Sequence, residues 1–251
     1  MTAAMLPTPP EELRVWVGPF ADAELFRVSG TRNVESIVEL CGLKSRAQVL
    51  EVGCGCGRIA TALAPHLTES GSYEGFDVAA PLLNWCREEL QPRLPNFRFH
   101  LAAEVHAPSH NPSGTKSAAE FKFPYASGSF DLVILSSVLT HMLPGAIENY
   151  LRETARVLRS GASAFISVLL FDEAAANAVN AQTTIFDFRH RVGPCWTFDA
   201  EHPEEGIACD ETWFFEEVNR VGLRASTVRR GDWREVRSYM ITHDYVVATK
   251  V

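Results

Sequence analysis

Nowhere does this sequence carry an apolar run near the ~20 residues needed to cross a bilayer, which argues against a helical membrane protein. Basic residues are also in short supply. The 23 Lys and Arg stand against 31 Asp and Glu, a formal net charge of −8 with a pI near 5.5. Proteins that grip a phosphate backbone need a basic patch, so nucleic acid is not an expected partner. Met1–Pro10 lacks a positive region followed by an apolar stretch. No secretory signal is therefore expected, and a cytoplasmic protein follows. Six cysteines in 251 residues are too few for a disulfide framework, and no Cys-x-x-Cys pair occurs. His190, Cys195, His202 and Cys209 have ligand chemistry but irregular spacing, so no metal is expected. Cys41 and Cys86 read as core residues. There is no internal repeat.

What the chain does have is enough apolar content, 46%, to bury the core of one large domain. Strand and helix signals alternate from about residue 47 to 170. Strands are expected at 47–52, 73–77, 97–101, 130–136 and 163–170, and helices at 57–68, 79–91 and 145–159. The last helix carries Ile147, Tyr150, Leu151, Ala155 and Leu158 at helical spacing. Arg159-Ser160-Gly161, a basic turn followed by glycine, reads as its C-terminal stop. Such alternation with short links predicts a parallel sheet covered by helices on both faces, with ligands beyond the carboxyl ends of the strands. A helix over 210–221 follows, then strand-like runs Leu223–Val228 and Ser238–Ala248 joined by Arg229–Trp233. So short a link makes them antiparallel.

The most informative stretch is Val49–Ala60, a buried strand, a turn with Gly53, Gly55 and Gly57, and a helix start. Alternate glycines let the backbone fold tightly against a ligand, and the following helix offers free amides to an anion. A dinucleotide site wants Gly-x-Gly-x-x-Gly, but Arg58 occupies the place of its last glycine. Glu51 at the strand end repels a pyrophosphate and suits an ammonium group. An amino acid-like ligand therefore fits better than a nucleotide phosphate.

At this point the chain resembles the class I S-adenosylmethionine-dependent methyltransferases, whose first motif looks like Val49–Gly57. The resemblance covers roughly 47–251. It implies an α/β Rossmann-like fold: a seven-stranded, mostly parallel sheet ending in a C-terminal antiparallel hairpin, with helices on both faces. It implies S-adenosylmethionine as cofactor, with Glu51, Gly53, Cys54, Gly55 and Arg58 in the turn that holds the methionyl end. Asp77 ends the next strand, twenty residues beyond Gly57, the interval at which a carboxylate meets ribose hydroxyls. Its alternative is a helix N-cap. Glu104, with Val105 and Val78, is the candidate adenine contact, and a solvated loop acid is the alternative reading of Glu104.

The run Phe121–Leu143, including Ser136 to Leu143, resembles the fourth-strand region of bacterial small-molecule methyltransferases. Ser136 should lie near the cofactor, and Asp131 reads as structural. His141 and His190 are the candidate catalytic residues, since histidine can take a proton from an oxygen or nitrogen nucleophile. The alternative reading of His141, and the preferred one, is a residue that only orients its loop or touches the cofactor. Residues 1–46 are expected to form a helical lid on a methyltransferase domain at 47–251, with the aromatic insert 183–206 shaping the acceptor pocket. The same insert also reads as an edge hairpin packed on the sheet. The expected activity is methyl transfer to O or N of a small molecule. An NAD(P)-dependent oxidoreductase and a non-catalytic cofactor-binding scaffold are the competing readings, and the oligomeric state is left open.

Overall fold

The computed structural model describes residues 6–105, 116–235 and 243–251, in two compact units, 1–115 and 116–251. In the first unit the apolar runs become β1 (Gln48–Val52), β2 (Ser72–Asp77) and β3 (Phe97–Leu101), parallel and in register from Gln48↔Ser72 and Tyr73↔Phe97. A two-residue strand, β4 (Glu104–Val105), follows. Ahead of β1 lie α1 (Glu11–Arg14), a 3₁₀ turn at Val15–Val17, and α2 (Ala23–Cys41). The α2 helix starts where Asp22 accepts the Leu25 amide at 2.8 Å and stops at Gly42 in the left-handed conformation. Its Gly30 packs so closely on α3 (Arg58–Leu63) that a Cβ there would lie 2.6 Å from the Arg58 carbonyl. Pro65 then tightens the chain into a 3₁₀ turn, so the helix expected to reach residue 68 ends early. The next helix, α4 (Ala80–Trp85), runs on as a π-helix through Leu90.

The second unit begins with β5 (Lys116–Ser117) and β6 (Phe130–Leu135), followed by α5 (Pro144–Val157). Then come β7 (Leu158–Val168), β8 (Leu170–Phe171), α6 (Glu173–Ala181), β9 (His190–Val192), β10 (Cys195–Thr197) and β11 (Ile207–Asp210). The unit closes with α7 (Glu211–Arg220), β12 (Leu223–Arg229) and β13 (Asp244–Lys250). β7 lies parallel to β6, while β13 runs antiparallel to both β7 and β12. The main sheet has seven strands in the order β12-β13-β7-β6-β1-β2-β3, mostly parallel with the expected antiparallel C-terminal hairpin. Residues 238–242 of the expected last strand lie outside the described residues.

Three expectations need correction. The helix α5 ends at Val157, and Leu158 is already extended and paired with Phe130. Sheet pairing outweighs the local stop signal, and Gly161 (φ 75) instead sits where the register shifts between Phe130 and Leu132, as at a bulge. Arg159 forms an ion pair with Asp131 at 2.5 Å on the exposed side of this pairing. Cys41 is only half-buried, because it sits at the open end of α2, whereas Cys86 is fully enclosed. The insert is neither a simple loop nor an addition to the main sheet. With β8 and β11 it builds a second, four-stranded sheet in the order β8-β11-β10-β9. Among the described residues, no helix is long and apolar enough to cross a membrane.

Candidate functional site

In the turn after β1, Gly53, Gly55 and Gly57 all have positive φ (68°, 51° and 79°). That is the conformation glycine adopts without penalty and other residues resist. The amides of Gly53 and Cys54 donate to the Phe76 carbonyl at 2.9 and 3.0 Å, which ties the turn to the end of β2. Asp77 completes the tie. Its Oδ2 accepts from the Gly55 amide at 2.7 Å and its Oδ1 from the Ala79 amide at 2.9 Å. The Ala79 contact is the local turn expected of an Asp before a helix, and the Gly55 contact joins two strand ends 22 residues apart. Both carboxylate oxygens are thereby oriented at the carboxyl end of the strands.

Glu51 lies beneath this turn, 3% exposed, with the Tyr73 hydroxyl donating to its Oε2. Gly75 stands opposite it in register, and a Cβ at Gly75 would come within 2.7 Å of the Tyr73 hydroxyl. Burial pushes the Glu51 carboxyl up to about 8; the Tyr73 hydrogen bond and Arg58 charge oppose the shift, and Asp77 adds to it. The folded state therefore holds its proton more tightly than the unfolded chain. That contribution to stability is complete below the ordinary carboxyl value of about 4.3 and is lost as pH rises through 8. Stability of the cofactor-free protein should fall by up to about 1 kcal/mol per pH unit across that window on this account. Denaturant titrations of the wild type and Glu51→Gln at pH 5 to 9 check this, the variant losing that part of the slope. Parallel profiles would place the proton elsewhere.

The N-terminal segment folds over the same turn. Val17 stands so near that a Cβ on Gly55 would lie 2.6 Å from its Cγ1, and the Cys56 thiol reaches the Leu13 carbonyl at 3.8 Å. Phe20, Phe26, Cys56, Ala79 and Leu82 form one apolar cluster there. Arg14, 7% exposed, fastens the segment by donating to the carbonyls of Pro9 (2.5 Å), Phe20 (2.9 Å) and Ala21. Arg58 turns toward α2, bonding Ser29 Oγ at 3.0 Å with its guanidinium 5.2 Å from the Phe20 ring centre. Cys54 is buried, its thiol pushed well above its ordinary value chiefly by that burial. Val78 is half-buried just past β2. Glu104 and Val105 make up β4, and their side chains lie outside the described residues.

In the second unit Ser136 is 8% exposed where β6 ends. Ser137 beside it has φ 59°, a strained value for a non-glycine residue, and its amide donates to Ser167 Oγ at 2.7 Å. His243 Nδ1 lies 3.4 Å from Ser167 Oγ and 3.5 Å from Ser137 Oγ. This serine–histidine group at the ends of β6 and β7 escaped the sequence reading, because its members are 30 to 106 residues apart. His141 is exposed on a 3₁₀ turn (Leu139–His141), with Nδ1 2.9 Å from the Glu204 carbonyl. A carbonyl only accepts, so Nδ1 carries the proton and Nε2 is left as the basic nitrogen. His190 stands exposed on β9, the outer strand of the small sheet, opposite Thr197. Cys195 and Cys209 pair across β10 and β11, while His202 lies beside Asp199. No group of three metal-ligating side chains occurs among the described residues.

Residues 50–164 match the family model described as a methyltransferase domain. An arsenite methyltransferase of Aquipseudomonas alcaligenes is 28% identical over 151 residues, 58% of this chain and 41% of that protein. The chain thus spans about two fifths of that curated relative's length. Among solved structures, an S-adenosylmethionine-dependent methyltransferase of Aquifex aeolicus aligns over 98% of this chain and 100% of its own. Its identity is 20% and its TM-score 0.56. The 1,6-didemethyltoxoflavin-N1-methyltransferase of Burkholderia thailandensis, solved with S-adenosylhomocysteine, aligns over 94% and 81% at 17% identity with a TM-score of 0.57. These structural likenesses speak for the fold, and the domain match at 50–164 favours a methyltransferase over the oxidoreductase alternative.

The residues present fit S-adenosylmethionine, the cofactor class of the aligned methyltransferases. The turn's three positive-φ glycines bring the backbone close to the end of β2, and Asp77 presents an oriented carboxylate at that strand end. Residues 50–164 thus match a methyltransferase domain, on a fold that the chain shares with S-adenosylmethionine-dependent methyltransferases of known structure.

Proposed function

We propose that the protein transfers the methyl group of S-adenosylmethionine to an oxygen or nitrogen of a small cytoplasmic molecule, with no nucleic acid as acceptor. Glu51, Gly53, Cys54, Gly55 and Arg58 are assigned to the methionyl end, Asp77 to the ribose, and Val78, Glu104 and Val105 to the adenine. Ser136 is assigned to the cofactor from the strand end where it is buried. Residues 1–46 serve as the lid, a reading supported by Val17 and Leu13 over the glycine turn and by the Arg14 clasp. The insert 183–206 shapes the acceptor pocket, its Phe186, Phe188 and Phe198 rings packed 5.4 to 5.8 Å apart.

The observation that carries the acceptor class is the His141 tautomer. The sulfonium is already an activated donor, so positioning and exclusion of water supply most of the catalysis. A base is needed when the accepting oxygen or nitrogen is protonated, and Nε2 of His141 is free of the proton that the Glu204 carbonyl holds on Nδ1. His190 is the second candidate, with no such orienting contact described. The N-methyltransferase among the structural neighbours supports a heteroatom acceptor. Arsenite, the acceptor named for the curated relative, is not carried over, because soft arsenic calls for accessible thiolates and five of the six cysteines are buried.

The test is a panel of small phenols, carboxylic acids and amines with S-adenosylmethionine, scored by S-adenosylhomocysteine formed. One class should support turnover, and His141→Ala should lower kcat by roughly 10²–10⁴ with cofactor affinity unchanged. Loss of cofactor affinity in that variant would make His141 a cofactor contact. Turnover confined to protein or nucleic acid acceptors would overturn the small-molecule reading.

A further inference from the structure

Cys195 and Cys209 are direct partners in the antiparallel register of β10 and β11. The Asp210 amide donates to the Pro194 carbonyl at 3.1 Å, one residue outward on both strands. That flanking bond marks Cys195/Cys209 as a pair whose own amides do not bond each other. Pairs of this kind bring their Cα atoms to about 4.5 Å with side chains on one face, inside the ~4.4–6.8 Å range of disulfides. Both residues are 0% exposed and both thiols are free. No other thiol belongs to this unit, since the remaining four cysteines fall within residues 1–115.

We propose that Cys195 and Cys209 form a dithiol that a peroxide-class oxidant closes to an intramolecular disulfide. One thiolate attacks the peroxide O–O bond, giving a sulfenic acid and water. The second thiolate attacks that sulfur, the S–S bond forms, and a second water leaves. Two thiols and one peroxide thus become one disulfide and two waters, and a small dithiol reverses the bond. The new bond fastens the base of the hairpin whose loop presents the Glu204 carbonyl to His141. The interaction with Cys195, together with burial, holds the Cys209 thiol well above its ordinary value. The reaction is therefore slow at neutral pH and faster at pH 9, where more thiolate exists.

The full chain is incubated with hydrogen peroxide, and in parallel in a glutathione redox buffer, then alkylated and weighed without reductant. Two fewer alkyl groups than in the reduced control and a further loss of about 2 Da are expected, mapped to a peptide that joins Cys195 to Cys209, and absent in Cys195→Ser and in Cys209→Ser. The Tm of the oxidised wild type should rise by about 5–10 °C and return on adding dithiothreitol. A second arm in denaturant just below the unfolding midpoint removes limited access as a cause of unreactivity. Free thiols at both positions in that arm, or a bond that joins Cys54, Cys56 or Cys86 instead, would overturn the proposal.

Discussion

Replacing Asp77 by alanine is expected to weaken S-adenosylmethionine binding about 100-fold, at the upper end of the roughly 1.5–3 kcal/mol of a charged hydrogen bond. The carboxylate has two tasks. In the proposed site it meets the ribose hydroxyls, and in the structure it holds the Gly55 and Ala79 amides at 2.7 and 2.9 Å. Its removal leaves the glycine turn tied to β2's end only through the Phe76 carbonyl, so the cradle loosens at Gly55 as the ligand loses its partner. Asp77→Asn keeps one acceptor oxygen and should fall between the two. Calorimetric titration with S-adenosylmethionine and S-adenosylhomocysteine, on variants whose circular dichroism matches the wild type, measures this. Unchanged affinity in a folded Asp77→Ala protein would remove Asp77 from the site.

The largest effect on stability is expected at Asp244. It is 0% exposed and accepts from the amides of Leu170 and Gly231, from Trp233 Nε1, and from both terminal nitrogens of Arg234 at 2.8 and 3.1 Å. Arg234, 7% exposed, also reaches the Leu170 carbonyl at 2.6 Å and Asp172, the N-cap of α6. Alanine here strands a buried guanidinium and three further donors, a situation that costs about 3–5 kcal/mol. For a chain of this size that corresponds to a fall in Tm of roughly 10–15 °C, read by calorimetry. Asp244→Asn should recover part of the loss, because it still accepts but no longer balances the Arg234 charge. A drop under 1 kcal/mol would show that the pair is replaceable by relaxation.

How much of this was legible in advance follows the range of each interaction. The strands β1, β2, β3 and β6 fall within a residue or two of their expected limits, since apolar run length and turn residues are local signals. The glycine turn was equally plain, because only glycine fills three alternate left-handed positions cheaply. The end of α5 was misplaced for the opposite reason: a basic residue and a glycine mimic a helix stop, but pairing of Leu158 with Phe130 decides the boundary. Asp244 carried a faint signal, a lone acid in an otherwise apolar alternating strand. Nothing near it in the chain says that Arg234 comes round to meet it.

Composition and periodicity alone therefore determined the layered α/β architecture, the glycine turn and the acid that follows β2, each arising from neighbours within one strand–turn–helix unit. The tertiary structure decided the rest. It buried Glu51 against Tyr73, brought Glu204 to His141 across 63 residues, and set Cys195 opposite Cys209. Those contacts depend on which strand edges pair and in what register. Register is chosen by the burial of whole faces and by the closure of long loops, and no local run of residues encodes it.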